Sequence, residues 1–531
     1  MNSYEVVIIG AGHNGLVCGA YLAKAGLKVC VLERRSLIGG ASVTEEIWPG
    51  YRVSTAAHMM GLLQPRVILD LELQKFGYEI IPTPPIVHHI DSAGPIPVWR
   101  EPDKLAAEFA RLSQRDAAAY PAFAAHLARL GPIFQKLLWE IPFDPSSLSP
   151  GNLMDVALFA WRNRGMVGAF YDVSDLITMS VYDYLSRWFE SDAVKMILGY
   201  YPVGGSGQSV SFHTPGTAYF LLRNHLRDNT TAAGGTGLVR GGMGNICEAI
   251  AKSGARFGME VRVDAEVSRI LVKDGRAQGV VLVNGDEIRA RTVISNASAR
   301  HTFLSLVEEG TLPCEFLRDI RSFKGQSTAF KIHLAVDELP HYPDLGKAGL
   351  GNTYPVQICI APSIAYVEKA YLDMREGRVS RRPYLTVQAP TVVDPSLAPK
   401  SRHILSIYGG HVPSGPGADH GAATRETVYN AAFDAIAQFA PNLPRHAVHR
   451  QILLASDYEE IFGLPGGNPH HADLTLNQVF FRRPARRYAD YRSPIAGLFL
   501  SSASTHPGGA VTGVPGYNAA RVVLKMLRSP A

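Results

Sequence analysis

Gly10, Gly12 and Gly15 stand in the run Gly10-Ala11-Gly12-His13-Asn14-Gly15, and Glu33 follows 18 residues after the last of them. Residues of these types at this spacing can hold a pyrophosphate. Gly10 permits a tight strand-to-helix turn, Gly12 lets bare backbone approach the phosphates, and Gly15 lets helix and strand pack closely. A helix opening at His13 and Asn14 would aim free N–H groups and a partial positive charge at the phosphates. Glu33 can accept hydrogen bonds from a ribose diol. A second glycine pair, Gly39-Gly40-Ala41, lies just beyond that acid. Such a loop can fold over the pyrophosphate and bring backbone to a flavin ring, so the pattern predicts FAD rather than NAD. Arg34 and Arg35 leave a 2′-phosphate, and hence NADP, as the alternative.

A flavin takes a hydride, and a base is needed only if a proton leaves as well. Three residues are candidates. His506 sits in the turn His506-Pro507-Gly508-Gly509, His471 follows Gly466-Gly467-Asn468, and Lys331 lies in the apolar run Phe330-Lys331-Ile332. Each also has a structural reading: a turn histidine bonded to backbone, a loop histidine, and a strand lysine facing solvent.

These residues need elements to position them. Residues 4–9 read as a buried strand, 16–25 as a helix ended by Gly26, and 28–32 as a second strand. Gly241-Gly242-Met243-Gly244 opens a helix over 245–253 but lacks a preceding apolar strand, so no second dinucleotide domain is expected. Strand patterns over 260–263, 267–273, 276–282 and 287–295 are joined partly by Asp274-Gly275 and Asn284-Gly285, which are hairpin signals. Residues 292–295, followed by Asn296, read as a strand returning to the main sheet. Residues 100–230 look like a helical insertion, with helical spacing across 104–130. Strand-like runs at 328–336, 384–388 and 403–408 alternate with a helix over 426–439. Near the end, a strand over 497–500 leads through Gly513, Gly516 and Asn518 into a helix over 519–527, a second glycine-lined helix opening. The expected class is α/β. A Rossmann-type FAD-binding domain (parallel sheet with a small antiparallel meander) comes from residues 1–75, 236–305 and 481–531. A β-rich substrate domain comes from 76–235, which carries the helical insertion, and 306–480.

Composition narrows the function classes. The 531 residues are 46% hydrophobic and 19% charged, with a net charge of only +5, so no nucleic-acid partner is expected. The short cluster Arg482, Arg483, Arg486 and Arg487 does not change that. None of the five cysteines forms a CxxC pair, which argues against a redox dithiol and a zinc site, and no metal is expected. No secretory leader and no long apolar run is evident, so a cytoplasmic location is the expectation. Residues 153–171 carry Arg162 and Arg164 among apolar residues. They read either as an ordinary amphipathic helix or as one that docks on a bilayer, which leaves peripheral membrane contact open. The sequence selects no oligomeric state.

The chain resembles the phytoene desaturase-like FAD oxidoreductases. The likeness is carried by VVIIGAGHNGLV at 6–17, LERRSLIGGASVTEE at 32–46, HTPG at 213–216, GGMG at 241–244 and VISNAS at 293–298. FGLPGGNPHH at 462–471 and GLFLSSASTHPGGAVTGVPGYNAA at 497–520 complete it. The resemblance implies bound FAD roofed by a substrate domain, and hydride removal from (desaturation of) an apolar small molecule, with re-oxidation by oxygen or a quinone. It extends the cofactor contacts to Arg34, Val267 and Asn296, and at the other end to Ser504, Pro507, Gly508, Gly509, Val511 and Gly513. Many flavoproteins place an Asp at the end of the C-terminal strand. Here the stretch is Ser501-Ser502-Ala503-Ser504, so backbone or hydroxyl contacts must substitute. A redox-neutral polyene isomerase and a non-enzymatic partner-binding flavoprotein are the alternative readings.

Overall fold

The computed structural model describes residues 3–205, 210–226, 237–443 and 447–528; parts of the expected helical insertion, at 206–209 and 227–236, lie outside the described residues. Apolar β-branched runs build the first sheet. Its order is Val267–Lys273, Arg276–Leu282, Glu287–Ser295, Ser3–Ile9, Val29–Leu32 and Glu260–Arg262. Leu498–Leu500 pairs in parallel with Val293 to Ser295, and so shares one edge of the long strand Glu287–Ser295 with the antiparallel strand Arg276–Leu282. One strand thus carries both the meander and the return to the parallel sheet. The fold is the Rossmann-like α/β arrangement the glycine pattern predicts.

The helix His13–Lys24 covers one face of this sheet. It packs against Gly244–Ala255 on one side and against the C-terminal helix Val514–Arg528 on the other. Val6, Ile8, Leu16, Val17, Ile246, Ile250, Val522 and Val523 share that core.

The second sheet runs Ala447–Leu453, Phe330–Val336, His403–Gly410, Tyr384–Gln388, Gln357–Ile360, Ile86–Ile90 and Gly94–Val98. Four of these strands (86–90, 94–98, 357–360 and 447–453) are additions to the sequence reading. Alternation gives the sheet two unlike faces. Phe330, Ile332, Leu334, Leu405, Ile407, Leu385, Val387 and Ile358 pack into one apolar core with Val428, Ala432 and Ile436 of the helix Ala422–Ala437. The opposite face is polar. Register sets Gln451, His333, Ser406, Gln388 and Gln357 in one row across five strands. Lys331, Tyr408, Thr386, Cys359 and His88 form the adjacent row.

The stretch 104–130, expected as one helix, is two: Pro102–Phe109 and Gln114–Trp139. Ser113 breaks it, because its Oγ accepts from the Asp116 N–H at 3.1 Å and caps a new helix.

Arg483, grouped by sequence with a surface cluster, is fully buried. Its guanidinium donates to Ala503 O at 3.2 and 2.8 Å, to Gln478 O at 3.1 Å, and also to His470 O. It thereby fastens the segment around 470–478 to the end of the C-terminal strand. Burial pushes its pKa down to about 10, which still leaves it charged at neutral pH. Replacing it by methionine keeps the volume and strands those carbonyls. We expect Arg483→Met to lower unfolding free energy by about 3 kcal/mol, read by urea denaturation; a change under about 0.5 kcal/mol would show that the carbonyls find other donors.

Candidate functional site

The two glycine-lined helix openings meet. A Cβ on Gly516 would lie 2.1 Å from Asn14 O, so the C-terminal helix touches the start of the N-terminal one backbone to backbone. His13 Nε2 and Ala510 O are 3.2 Å apart and bond across the same junction. Asn296, at the end of the strand Glu287–Ser295, donates from Nδ2 to Gly10 O at 3.3 Å. A Cβ on Gly12 would come within 2.8 Å of that Nδ2, and one on Gly15 within 2.3 Å of Gly10 O. Position 15 is therefore closed to a side chain, and position 12 admits one only if the Asn296 amide shifts. Gly39 N–H donates to Ala11 O at 2.9 Å, and Gly40 lies over Gly12, so the second glycine pair folds back over the first. Ala41 O accepts from Ala57 N–H at 2.9 Å, which leads the chain toward the second sheet.

Glu33 is buried at the end of its strand. Its Oε2 accepts from Ala11 N–H at 2.9 Å and its Oε1 from Arg35 N–H at 3.1 Å, which fixes the carboxylate against the loop. Ala265 N–H donates to Glu33 O at 2.8 Å and brings Val267 alongside. At the other end, Ser504 Oγ accepts from Ala299 N–H at 2.9 Å. Past Pro507, Gly508 and Gly509 pass so close to Leu474 and His470 that Cβ atoms would approach to 2.6 and 2.5 Å. Val511 packs on the core beneath the helices, and Gly513 turns the chain at φ +75° into the C-terminal helix.

The site fits a dinucleotide on its own evidence. Asn14 Oδ1 and Ser501 Oγ are buried polar atoms without a protein partner, one at the helix opening and one at the end of the C-terminal strand. Ser501 stands just past the C-terminal strand, in the stretch where the Asp of many flavoproteins is absent, and its hydroxyl there has no protein partner. Arg34 donates from Nη2 to Glu460 O and Ile461 O at 2.8 Å each and so braces the helix Ala455–Phe462. Arg35 pairs with Glu45, and its Nη1 is buried without a partner.

Of the three candidate bases His506 and Lys331 are buried and His471 is half-buried. His506 Nε2 and Leu137 O are 2.7 Å apart, so its ring holds the end of the helix Gln114–Trp139. Burial pushes its pKa down to about 4. His471 Nδ1 lies 3.2 Å from Ser504 Oγ, and burial with Arg483 nearby pushes it down to about 3. Lys331 does not face solvent as a strand lysine usually does. It is fully buried, donates to Ser54 O and Ala56 O at 2.8 Å each, and has its pKa lowered by burial. Beside it, His333 Nε2 is 3.4 Å from Thr55 O. The polar face of the second sheet thus rests on residues 54–57, which in turn rest on the folded-back glycine loop.

Several polar atoms on or next to that face have no partner: His333 Nδ1, Ser406 Oγ, Gln451 Oε1 and His411 Nε2. Ser406 and Gln388 line a small cavity together with Arg52, Ser54, His58, Gly242 and Met243. Sequence reasoning missed these residues, though the alternation in 330–336 and 403–410 carried the signal. The five cysteines are unpaired; burial raises the thiol pKa of Cys30 to about 11 and of Cys247 and Cys359 to about 12.

Known proteins place this geometry. A family model described as NAD(P)-binding Rossmann-like domain matches residues 8–68, and one described as flavin containing amine oxidoreductase matches residues 221–524. "Pyridine nucleotide-disulfide oxidoreductase domain-containing protein 2" of Rattus norvegicus is 35% identical, the match covering 99% of this chain and 94% of that protein. "Phytoene desaturase (neurosporene-forming)" of Cereibacter sphaeroides is 24% identical, over 98% of this chain and 94% of that protein. Among solved structures, an oxidoreductase from Methanosarcina mazei superposes with a TM-score of 0.59 at 18% identity, covering 98% of this chain and 99% of that one.

Two outcomes follow. Gly12→Val and Glu33→Ala should each strip FAD, read as loss of the flavin absorbance of purified protein, and full retention by both would overturn the loop assignment. His13, His471 and His506 have folded pKa values of about 3 to 4, below the unfolded value near 6.5. As pH falls through that window the unfolded chain takes up protons that the folded one does not. Stability contributed at neutral pH is therefore lost progressively on acidification. The thermal midpoint should fall steadily from pH 6.5 to 4, and His471→Asn should flatten the slope.

Proposed function

Because the chain belongs to the flavin containing amine oxidoreductases and is an FAD-dependent oxidoreductase, we propose that it dehydrogenates a largely apolar organic substrate bearing a hydrogen-bonding group. Re-oxidation would be by oxygen or a quinone. The observation that supports this reading is the polar face of the second sheet, where His333 Nδ1 and Ser406 Oγ are buried without a partner. Burying such atoms without a partner costs roughly 1–3 kcal/mol each, a cost that a bound ligand's oxygen or nitrogen would offset.

FAD supplies the hydride acceptor. The chain's own residues then have three tasks. His333, Ser406 and Gln388 orient the substrate's polar group. Lys331 holds residues 54–56 between sheet and glycine loop, and so sets the depth of the substrate chamber. The C-terminal segment, fastened by Arg483 and His506, excludes water. His506, His471 and Lys331 take positioning roles in this reading, because two of them are tied to backbone carbonyls and burial makes the third a weak base at neutral pH.

The test is anaerobic mixing of the holoprotein with paired donors that differ only in one hydroxyl or carbonyl. The oxygenated member should bleach the flavin without NAD(P)H, and the pure hydrocarbon should not. His333→Leu should raise KM about tenfold with a smaller effect on kcat. Bleaching by hydrocarbons alone would sink the polar-group reading. Turnover only with pre-reduced flavin would favour the redox-neutral isomerase.

A further inference from the structure

The segment from Leu148 to Tyr171 reverses the usual distribution of apolar residues. Its helix Pro150–Arg162 buries no residue at all. Leu148, Leu153, Met154, Leu158, Val167 and the aromatics Trp161, Phe170 and Tyr171 are all exposed. The three aromatics stand at 64%, 64% and 83% exposure. At roughly 200 Å² per ring side chain they alone present about 400 Å², the scale of the largest apolar patch on an ordinary monomer, roughly 300–600 Å². The five aliphatic residues take the surface beyond it. Among the described residues no helix is long and apolar enough to cross a membrane, so this surface can meet a bilayer only from its side.

Helical geometry sorts the faces. Steps of about 100° per residue place Leu153, Ala157, Trp161, Met154 and Leu158 on one continuous outward arc. Val156 and Phe159 lie on the other side. Phe159 packs on Phe143 and Phe480 at 5.3 and 5.7 Å between ring centroids, and Phe480 packs on His506 at 4.8 Å. The helix is thus seated on the protein by its inner aromatics, and its outward face is the apolar one. That seat is continuous with the loop that closes the flavin site.

We propose that this face docks on a lipid surface bearing anionic headgroups. Charge chooses the occupant. Arg164 and Arg482 are exposed beside the helix, and neither has a carboxylate partner among the described residues. Arg482 directly follows the Phe480–Phe481 pair on which the helix sits, and Arg164 lies over the Trp161 ring. Asp155 is the exposed carboxylate on the helix itself. An apolar arc centred on a Trp, with cations at its margin, is what an interfacial helix requires. A two-fold contact with a second copy would instead bring Arg164 and Arg482 toward their own images, at an unfavourable like-charge cost.

The experiment is co-sedimentation of the holoprotein with phosphatidylcholine vesicles, with and without phosphatidylglycerol. Wild type should sediment with the anionic vesicles and be released by salt. The triple variant Leu153→Ser, Met154→Ser, Leu158→Ser should bind at least about tenfold more weakly. Arg164→Glu with Arg482→Glu should remove the preference for phosphatidylglycerol. Flavin absorbance and the thermal midpoint, unchanged in both variants, show that they fold and that the cofactor site is intact. No sedimentation of wild type with either vesicle would overturn the proposal. So would a concentration-dependent dimer, seen by light scattering, that the serine variant abolishes.

Discussion

The structure depends on one close approach: the backbone of Gly516 against the carbonyl of Asn14. Positions 14 and 516 lie at opposite ends of the polypeptide, and no side chain fits between them. A Cβ at Gly516 would sit inside the van der Waals radius of that oxygen, and Gly12 and Gly15 are confined in the same way by Asn296 and Gly10. Three segments distant in sequence therefore share one point: the two helix openings supply backbone, and Asn296 supplies its side-chain amide. That geometry leaves N–H groups free to face phosphates. It also makes the cofactor site a product of the whole fold. The strand Leu498–Leu500 must add to the sheet, beside Val293 to Ser295, before the C-terminal helix can reach Asn14.

The second sheet answers a different demand. Its outer face is an ordinary apolar core under the helix Ala422–Ala437, which secures register because a one-residue slip would expose every core side chain. Register so fixed also fixes the two polar rows on the inner face. Lys331 is the joint between the halves: an amine with no exposed surface that donates to the carbonyls of Ser54 and Ala56. Its pKa is lowered because the desolvation is not matched by any carboxylate. A methionine of similar length would fill the space but leave two carbonyls unbonded, so the residue's chemistry, not its volume, is what the site uses.

The cofactor half was legible in the sequence because its signals are local. A glycine triplet between an apolar strand and a helix has few uses, and the acid 18 residues further on narrows them. The meander was legible for the same reason, from two turn dipeptides. What could not be read was anything set by which backbone carbonyls the folded chain brings to a side chain. Arg483 lies in a run of arginines and looks solvated, yet its partners are carbonyls of His470, Gln478 and Ala503. Lys331 lies in a strand whose alternation is clear, but which face meets solvent depends on what residues 54–57 do. Arg34, which the family resemblance implies as a cofactor contact, also braces the carbonyls of Glu460 and Ile461, which no sequence pattern showed. In each case a charged side chain found backbone carbonyls, which a one-dimensional pattern does not display.

Two regions invert the rule that polar residues face water and apolar ones face the core. The inner rows around His333 and Ser406 bury polar atoms, and the segment around Trp161 exposes apolar ones. Neither inversion lowers the free energy of the isolated chain. Unpartnered buried polar atoms destabilise it, and a bare apolar patch gains nothing on folding and invites association in water. Stability alone would favour alanine at position 406, and solubility alone a polar residue at position 153. Their persistence in one molecule is accounted for if each meets its complement outside the chain, and the aromatic path from Phe159 through Phe480 to His506 runs from the exposed region to the loop that closes the flavin site.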